Sequence, residues 1–196
     1  MIRSFVAIDL STVARTALTT LQNRLKFGVP PHTVTWTAPQ NIHLTLHFLG
    51  DVTAEAIDKI AETFEAGIFG HTAFTLDLVG LGCFPNMRRP RIIWVGIGGN
   101  TESLVELHGH LGRLLNEVTG FVSETRPYAP HLTIGRVKKG IPQRRLTQAG
   151  QILATEQAGV GQLTRFIITE VVLMRSELKP GGPVYTPLAR GVLKGN

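Results

Sequence analysis

The stretch NIHLTLHFLG (residues 41–50) and the stretch PHLTIGR (residues 130–136) share one pattern, His-Leu-Thr followed by Leu or Ile, 88 positions apart. In a β-strand, residues i and i+2 point to the same face. His43 and Thr45 therefore project together, with Leu44, Leu46 and Phe48 expected on the opposite side. His131 and Thr133 likewise share a face, opposed by Leu132 and Ile134. Two such strands brought close would converge two imidazoles and two hydroxyls on one small volume. A single His-x-Thr pair is ordinary for a packed or surface strand. Two copies inside matching apolar tetrapeptides are not.

That set of groups suits the opening of a phosphodiester. The reaction needs a base at the attacking oxygen and an acid at the leaving oxygen, in line across phosphorus. Imidazole titrates near neutral pH, so one histidine can take a proton while the other gives one. Threonine hydroxyls can donate to non-bridging phosphate oxygens, where charge gathers in the transition state. A metal site is the competing reading. His43 and His47 are four apart, but on a strand that spacing separates them by about 13 Å, and no carboxylate pair lies beside either motif.

The 196 residues suffice to bury a sizeable core. A hydrophobic fraction of 43% and a charged fraction of 17% describe an ordinary globule. Cys83 is the single cysteine, so disulfide frameworks and cysteine-based metal cages are excluded. MIRSFVAIDL (residues 1–10) reads as a first strand, being too short and too interrupted by Asp9 for a signal peptide. No apolar run approaches the roughly 20 residues of a membrane span. The expectation is a reduced, cytoplasmic protein with no membrane association. The formal charge of +6 comes mainly from 14 Arg against 6 Lys. Two clusters, Arg88-Arg89-x-Arg91 and Arg136-x-Lys138-Lys139 through Arg144-Arg145, suit either a plain basic surface or a polyanionic partner.

Alternation and β-branched enrichment predict strands near 2–9, 33–37, 42–49, 73–80, 91–97, 131–136, 164–175 and 183–193. Ser11-Thr12, Thr53 and Asn100-Thr101 start helices with apolar stripes, and 142–158 is a short helix or a loop. The strands lack the uniform apolarity of a buried parallel sheet, so the fold class is α+β with antiparallel sheets. Each half of the chain offers one motif strand with helical material, a loose duplication visible only in the motif and the order of elements. His32, His47, His71, His108 and His110 read as surface or structural, and Trp36 and Trp94 as core.

With these residues in view the sequence resembles the 2H phosphoesterase superfamily, in its RNA 2′,3′-cyclic phosphodiesterase (2′-5′ RNA ligase) branch. IRSFVAIDL, NIHLTLHFLGDV, VGLGCFPNMRRPRIIWVGI, YAPHLTIGRV and VVLMRSELKPGGPVYTPL carry the likeness, which spans nearly the whole chain. It implies a single bilobal domain over 1–196: two pseudo-symmetric lobes of antiparallel sheet, outer helices and a central cleft, each lobe giving one His-x-Thr. It implies metal-independent, cofactor-free hydrolysis of an RNA-terminal 2′,3′-cyclic phosphate to a 2′-phosphate. By the same likeness His43 is the general acid, His131 the general base, and Thr45 and Thr133 hold phosphate oxygens. Arg136, Phe84, Tyr185 and Ser176 then serve the substrate. The implied partners are RNA ends with a cyclic phosphate, tRNA halves among them, or nucleotides, met by a monomer. The reverse step, with a 5′-hydroxyl for water, is 2′-5′ ligation. The alternatives are a phosphodiesterase on ADP-ribose cyclic phosphate or 2′-5′ oligoadenylate, or a non-catalytic RNA-binding module.

Overall fold

The computed structural model describes residues 1–68, 70–122 and 126–195. Nine strands run in the order β1 (Ile2–Ile8), β2 (Val34–Trp36), β3 (Leu44–Val52), β4 (Phe74–Phe84), β5 (Ile92–Gly99), β6 (His131–Val137), β7 (Gln162–Ile168), β8 (Glu170–Lys179) and β9 (Gly182–Val192). Between them lie four helices, α1 (Thr12–Gly28), α2 (Ala54–Gly67), α3 (Thr101–Thr119) and α4 (Gln143–Gly159). The predicted starts are real caps. Ser11 Oγ accepts from the Ala14 amide, Thr53 Oγ1 from Ala56 and Asn100 Oδ1 from Ser103, each satisfying an amide the helix cannot. The segment left open as helix or loop is a full helix, α4. Its start, Pro142, offers no side-chain cap to read from sequence. No helix among the described residues is long and apolar enough to cross a membrane.

The strands form two antiparallel sheets, β3-β1-β8-β9 and β2-β6-β5-β4-β7. Helices α2 and α3 cover the first, and α1 and α4 the second. These sheets are not the two halves of the chain, so the loose duplication by halves does not describe them. The first sheet takes its strands from both ends of the sequence, and the short β2 crosses to the second. The predicted strand 164–175 is two strands in different sheets, parted at Thr169. The sign lies in the burial: Phe166 and Ile168 alternate with exposed residues, whereas Val171, Val172, Leu173 and Met174 are all buried.

Each motif strand is kinked by a β-bulge just after its threonine. On β3, Ala7 pairs with Thr45 but Val6 pairs with His47, so Leu46 is the extra residue. On β6, Trp94 pairs with Thr133 but Ile93 pairs with Gly135, so Ile134 is the extra residue. One added residue inverts the face of everything beyond it. His47 is thereby turned into the core, and Phe48, expected on the core side, comes round to the side of His43 and Thr45. Arg136 comes round to the side of His131 and Thr133 in the same way.

The second bulge is pinned from α1. Gln22, fully buried, donates from Nε2 to the carbonyl of Ile134 at 2.7 Å and to that of Thr37 at 2.8 Å. Behind the first bulge stands a column of rings. His47 stacks on His108 at 4.1 Å, and His108 stacks on Tyr128 at 4.0 Å. His47 and His108 pack inside this column, and His71 Nε2 lies 2.6 Å from His110 Nδ1.

These contacts can be tested by their effect on stability. Gln22→Leu removes both donors and should cost about 1–3 kcal/mol in urea unfolding. Gln22→Glu faces acceptors with acceptors and should cost more; a smaller loss for Glu than for Leu would contradict the role. Burial pulls His47 and His110 below their ordinary pKa and His108 from 6.5 to about 4, with the charge of His47 adding to the effect on His108. These groups stay neutral in the fold while the unfolded chain protonates, so stability should drop as pH falls from 6.5 toward 4. His108→Phe keeps the stack and removes the titration. Its urea midpoint should fall less than wild type between those pH values, and an unchanged slope would exclude His108 as a cause.

Candidate active site

A cleft of about 380 Å³ lies between the sheets and is lined by His43, Thr45, His131 and Thr133 together. The strands that bring them are not hydrogen-bonded neighbours. β3 is the edge of its sheet, and β2 covers β6 only at Gly135–Val137, which leaves the His131–Thr133 segment facing β3 across open space. Tyr128 Oη, just before β6, bridges the gap by donating to the carbonyl of Thr45 at 2.9 Å. Burial pushes the Tyr128 phenol well above its ordinary pKa, so it remains a donor.

The two imidazoles are held alike. His43 Nδ1 lies 2.8 Å from the carbonyl of Asn41, and His131 Nδ1 lies 2.8 Å from the carbonyl of Ala129, in each case two residues upstream. A carbonyl only accepts, so each Nδ1 carries a proton and donates it. Nε2 is then the ring nitrogen available to the cleft, able to accept when the ring is neutral and to donate when it is charged.

Their surroundings differ. His43 stacks on Phe5 at 4.6 Å and meets Tyr185 edgewise at 5.1 Å. Burial lowers its pKa; the Asn41 carbonyl and the Asp9 charge pull the other way. His131 meets Phe84 edgewise at 5.0 Å, its hydrogen bond to Ala129 is exposed, and Trp94 lies behind it at 6.5 Å. Neither tryptophan is fully buried as core: Trp36 lines the cleft, and Trp94 lies flat over Gly82, where an added Cβ would come within 2.1 Å of its ring.

The turn before His43 is braced by Arg15 of α1, which donates to the carbonyls of Leu10 at 3.1 Å, Pro39 at 2.7 Å and Ile42 at 3.3 Å and pairs with Asp9. Asn41 serves twice, its carbonyl holding His43 and its Nδ2 donating to Pro183 O at 2.8 Å. That second bond draws the β8–β9 hairpin, with Ser176 opposite Tyr185, over the cleft. Burial raises the Tyr185 phenol while the Arg136 charge lowers it.

Of the residues picked from sequence, Arg136, Tyr185 and Ser176 line the cleft with both motifs. Phe84 lies behind His131 and packs on its ring instead of lining the cleft. Phe5, Phe48, Thr35, Trp36 and Asn41 also line it and were missed. For Phe48 the signal was the shared spacing: Phe48 and Arg136 each stand three residues after the motif threonine. Past Phe48 the cleft opens into a second hollow of about 370 Å³, walled by His108, Tyr128 and Arg126. Among the described residues no three His, Cys, Asp or Glu side chains gather as ligands for a metal ion.

The family model of the LigT-like phosphoesterases matches residues 8–94. The RNA 2′,3′-cyclic phosphodiesterase of Methanothermobacter thermautotrophicus is 35% identical over 187 residues, covering 95% of this chain and 96% of its own. A crystal structure from Thermus thermophilus superposes with a TM-score of 0.79 at 27% identity, over 99% of both chains. Escherichia coli LigT complexed with 3′-AMP superposes with a TM-score of 0.74 at 27% identity, over 98% of both. With the cleft, the two motif strands and these likenesses in agreement, the chain belongs to the LigT-like phosphoesterases of the 2H superfamily.

Proposed function

We propose that this protein hydrolyses the 2′,3′-cyclic phosphate at an RNA 3′ end to a 2′-phosphate by two-histidine acid–base catalysis, within one bilobal unit. The observation that carries the reading is the paired restraint of the imidazoles. Both donate Nδ1–H to a carbonyl two residues upstream and so keep Nε2 for the cleft they share with Thr45 and Thr133. The relative named for this activity and the 3′-AMP complex of a structural neighbour support the same substrate class.

His131, the more open of the two, takes a proton from water through Nε2. The hydroxide oxygen bonds to phosphorus as the bond from phosphorus to O3′ breaks on the opposite side. His43, screened by Phe5 and Tyr185, gives its Nε2 proton to O3′. The products are a 2′-phosphomonoester and a free 3′-hydroxyl, and solvent resets both protons. The aromatic face of Phe5 favours a charged His43 against the desolvation that disfavours it, and the anionic substrate adds to that side. Thr45 and Thr133 donate to the non-bridging oxygens, with Arg136 supplying positive charge and Ser176 and Tyr185 a polar wall. Phe84 is a positioning residue that holds the His131 ring. A 5′-hydroxyl in the place of water runs the step toward a 2′-5′ linkage.

Nucleoside 2′,3′-cyclic phosphate incubated with the protein and EDTA should yield the 2′-phosphate; no product would overturn the reading, and loss of product on adding EDTA would overturn its metal-free part. His43→Ala and His131→Ala should each lower kcat by at least ~10²-fold with little change in the unfolding midpoint. Rates near wild type in either variant would remove that residue from its role. One ring must hold a proton while the other lacks one, so kcat/KM against pH should be bell-shaped. The lowered pKa of His43 sets one limb below 6.5. A profile flat through that range would contradict a titrating pair.

A further inference from the structure

The two basic clusters separated in sequence become one surface in the fold. Strand pairing sets Ile92 opposite Arg136, and the Val137 amide donates to the carbonyl of Arg91 at 2.9 Å, so Arg88, Arg89 and Arg91 lie beside Arg136, Lys138 and Lys139. The 86–89 turn is shaped by Asn86, whose Oδ1 accepts from the amides of Arg88 and Arg89. Its back rests on α4, where Gly150 is packed so close that a Cβ would lie 2.1 Å from the carbonyl oxygen of Met87. Arg144 and Arg145, on the first turn of that helix, are within about 9 Å of the contact along the helix axis. All eight cations are exposed. Neither 85–91 nor 136–145 contains Asp or Glu. Among the described residues the five ion pairs all involve other arginines. Eight like charges without compensating acids repel one another, and a surface of this kind is complementary to a polyanion.

Continuity with the cleft sets which polyanion. Arg136 belongs to both: it lines the cleft with His131 and Thr133, and it starts the basic run. We propose that this surface is the track for the body of the RNA, the phosphodiester backbone upstream of the terminal nucleotide running from the cleft past Arg136 onto the clusters at 88–91, 138–139 and 144–145. The inference rests on the reading of the cleft as a cyclic-phosphate site and sharpens it, because a chain of phosphates uses the surface and a free nucleotide does not. Arginine forks suit phosphate oxygens, and contacts of this kind carry no base sequence, so the protein would accept RNA ends of many sequences.

The test compares two substrates in wild type and in a variant carrying Arg88→Gln, Arg89→Gln, Lys138→Gln and Lys139→Gln. A second variant with Lys26→Gln, Lys59→Gln, Arg113→Gln and Lys194→Gln removes the same charge from outside the surface. For a short single-stranded RNA ending in a 2′,3′-cyclic phosphate, kcat/KM should fall at least ~10-fold in the first variant alone. For nucleoside 2′,3′-cyclic phosphate it should be unchanged in both. Fluorescence anisotropy of the same RNA bearing a 2′-phosphate end should show the slope of log affinity against log salt reduced by up to about 3 in the first variant, near 0.7 per phosphate contact on a single strand. The proposal fails if the oligonucleotide is unaffected, if both variants lose equally, or if the nucleoside substrate suffers the same loss. Should wild type not hydrolyse the nucleoside substrate, the catalytic reading fails separately, and the anisotropy still decides whether the surface binds RNA.

Discussion

Everything at the centre of this molecule depends on an interruption placed twice. A regular strand alternates its faces without exception, so a histidine and a threonine two apart can share a polar side, but the residue three further on cannot join them. One extra residue after each threonine breaks that rule, at Leu46 on β3 and at Ile134 on β6. Phe48 and Arg136 reach the cleft only through these bulges, and His47 enters the core only through the first. Such irregularities persist where surrounding contacts over-determine them. Here Gln22 and the Thr37 amide both donate to the Ile134 carbonyl, while the rings of His47, His108 and Tyr128 stack behind the other strand.

Upon this matched frame the surroundings are unequal. The same backbone bond orients both imidazoles, yet His43 is enclosed by Phe5 and Tyr185 and His131 rests against Phe84 at a more open position. Matched backbone bonds hold two like groups, and the aromatic neighbours make their surroundings dissimilar.

What could be read from the sequence was whatever depends on local period and local chemistry. The motif pairs, the three capped helices and the antiparallel character were visible because a cap, a stripe or an alternation is written within a few residues. The uncapped α4 was legible only as a question. Bulges were not visible, because the residue that breaks the alternation is an ordinary Leu or Ile, and the break exists only relative to the strand alongside. The exchange of sheets at Thr169 was missed because both sides of it are strand. There the change from alternating to continuous burial was the available sign, in the step from TRFII to VVLM. The roles of Phe5 and Asn41 arise from packing across elements distant in the chain, which no local pattern records.

The strand order has a consequence for the molecule as a material object. The backbone passes from one sheet to the other between β1 and β2, returns between β2 and β3, passes again between β3 and β4, and returns a last time between β7 and β8. Neither jaw is a contiguous length of polypeptide, so no single cut, whether by a protease or by the division of a coding sequence, separates one sheet from the other. A ribosome must deliver the chain through β9 before the first sheet is complete, and the cleft that holds both His-x-Thr motifs gains its hairpin wall only then.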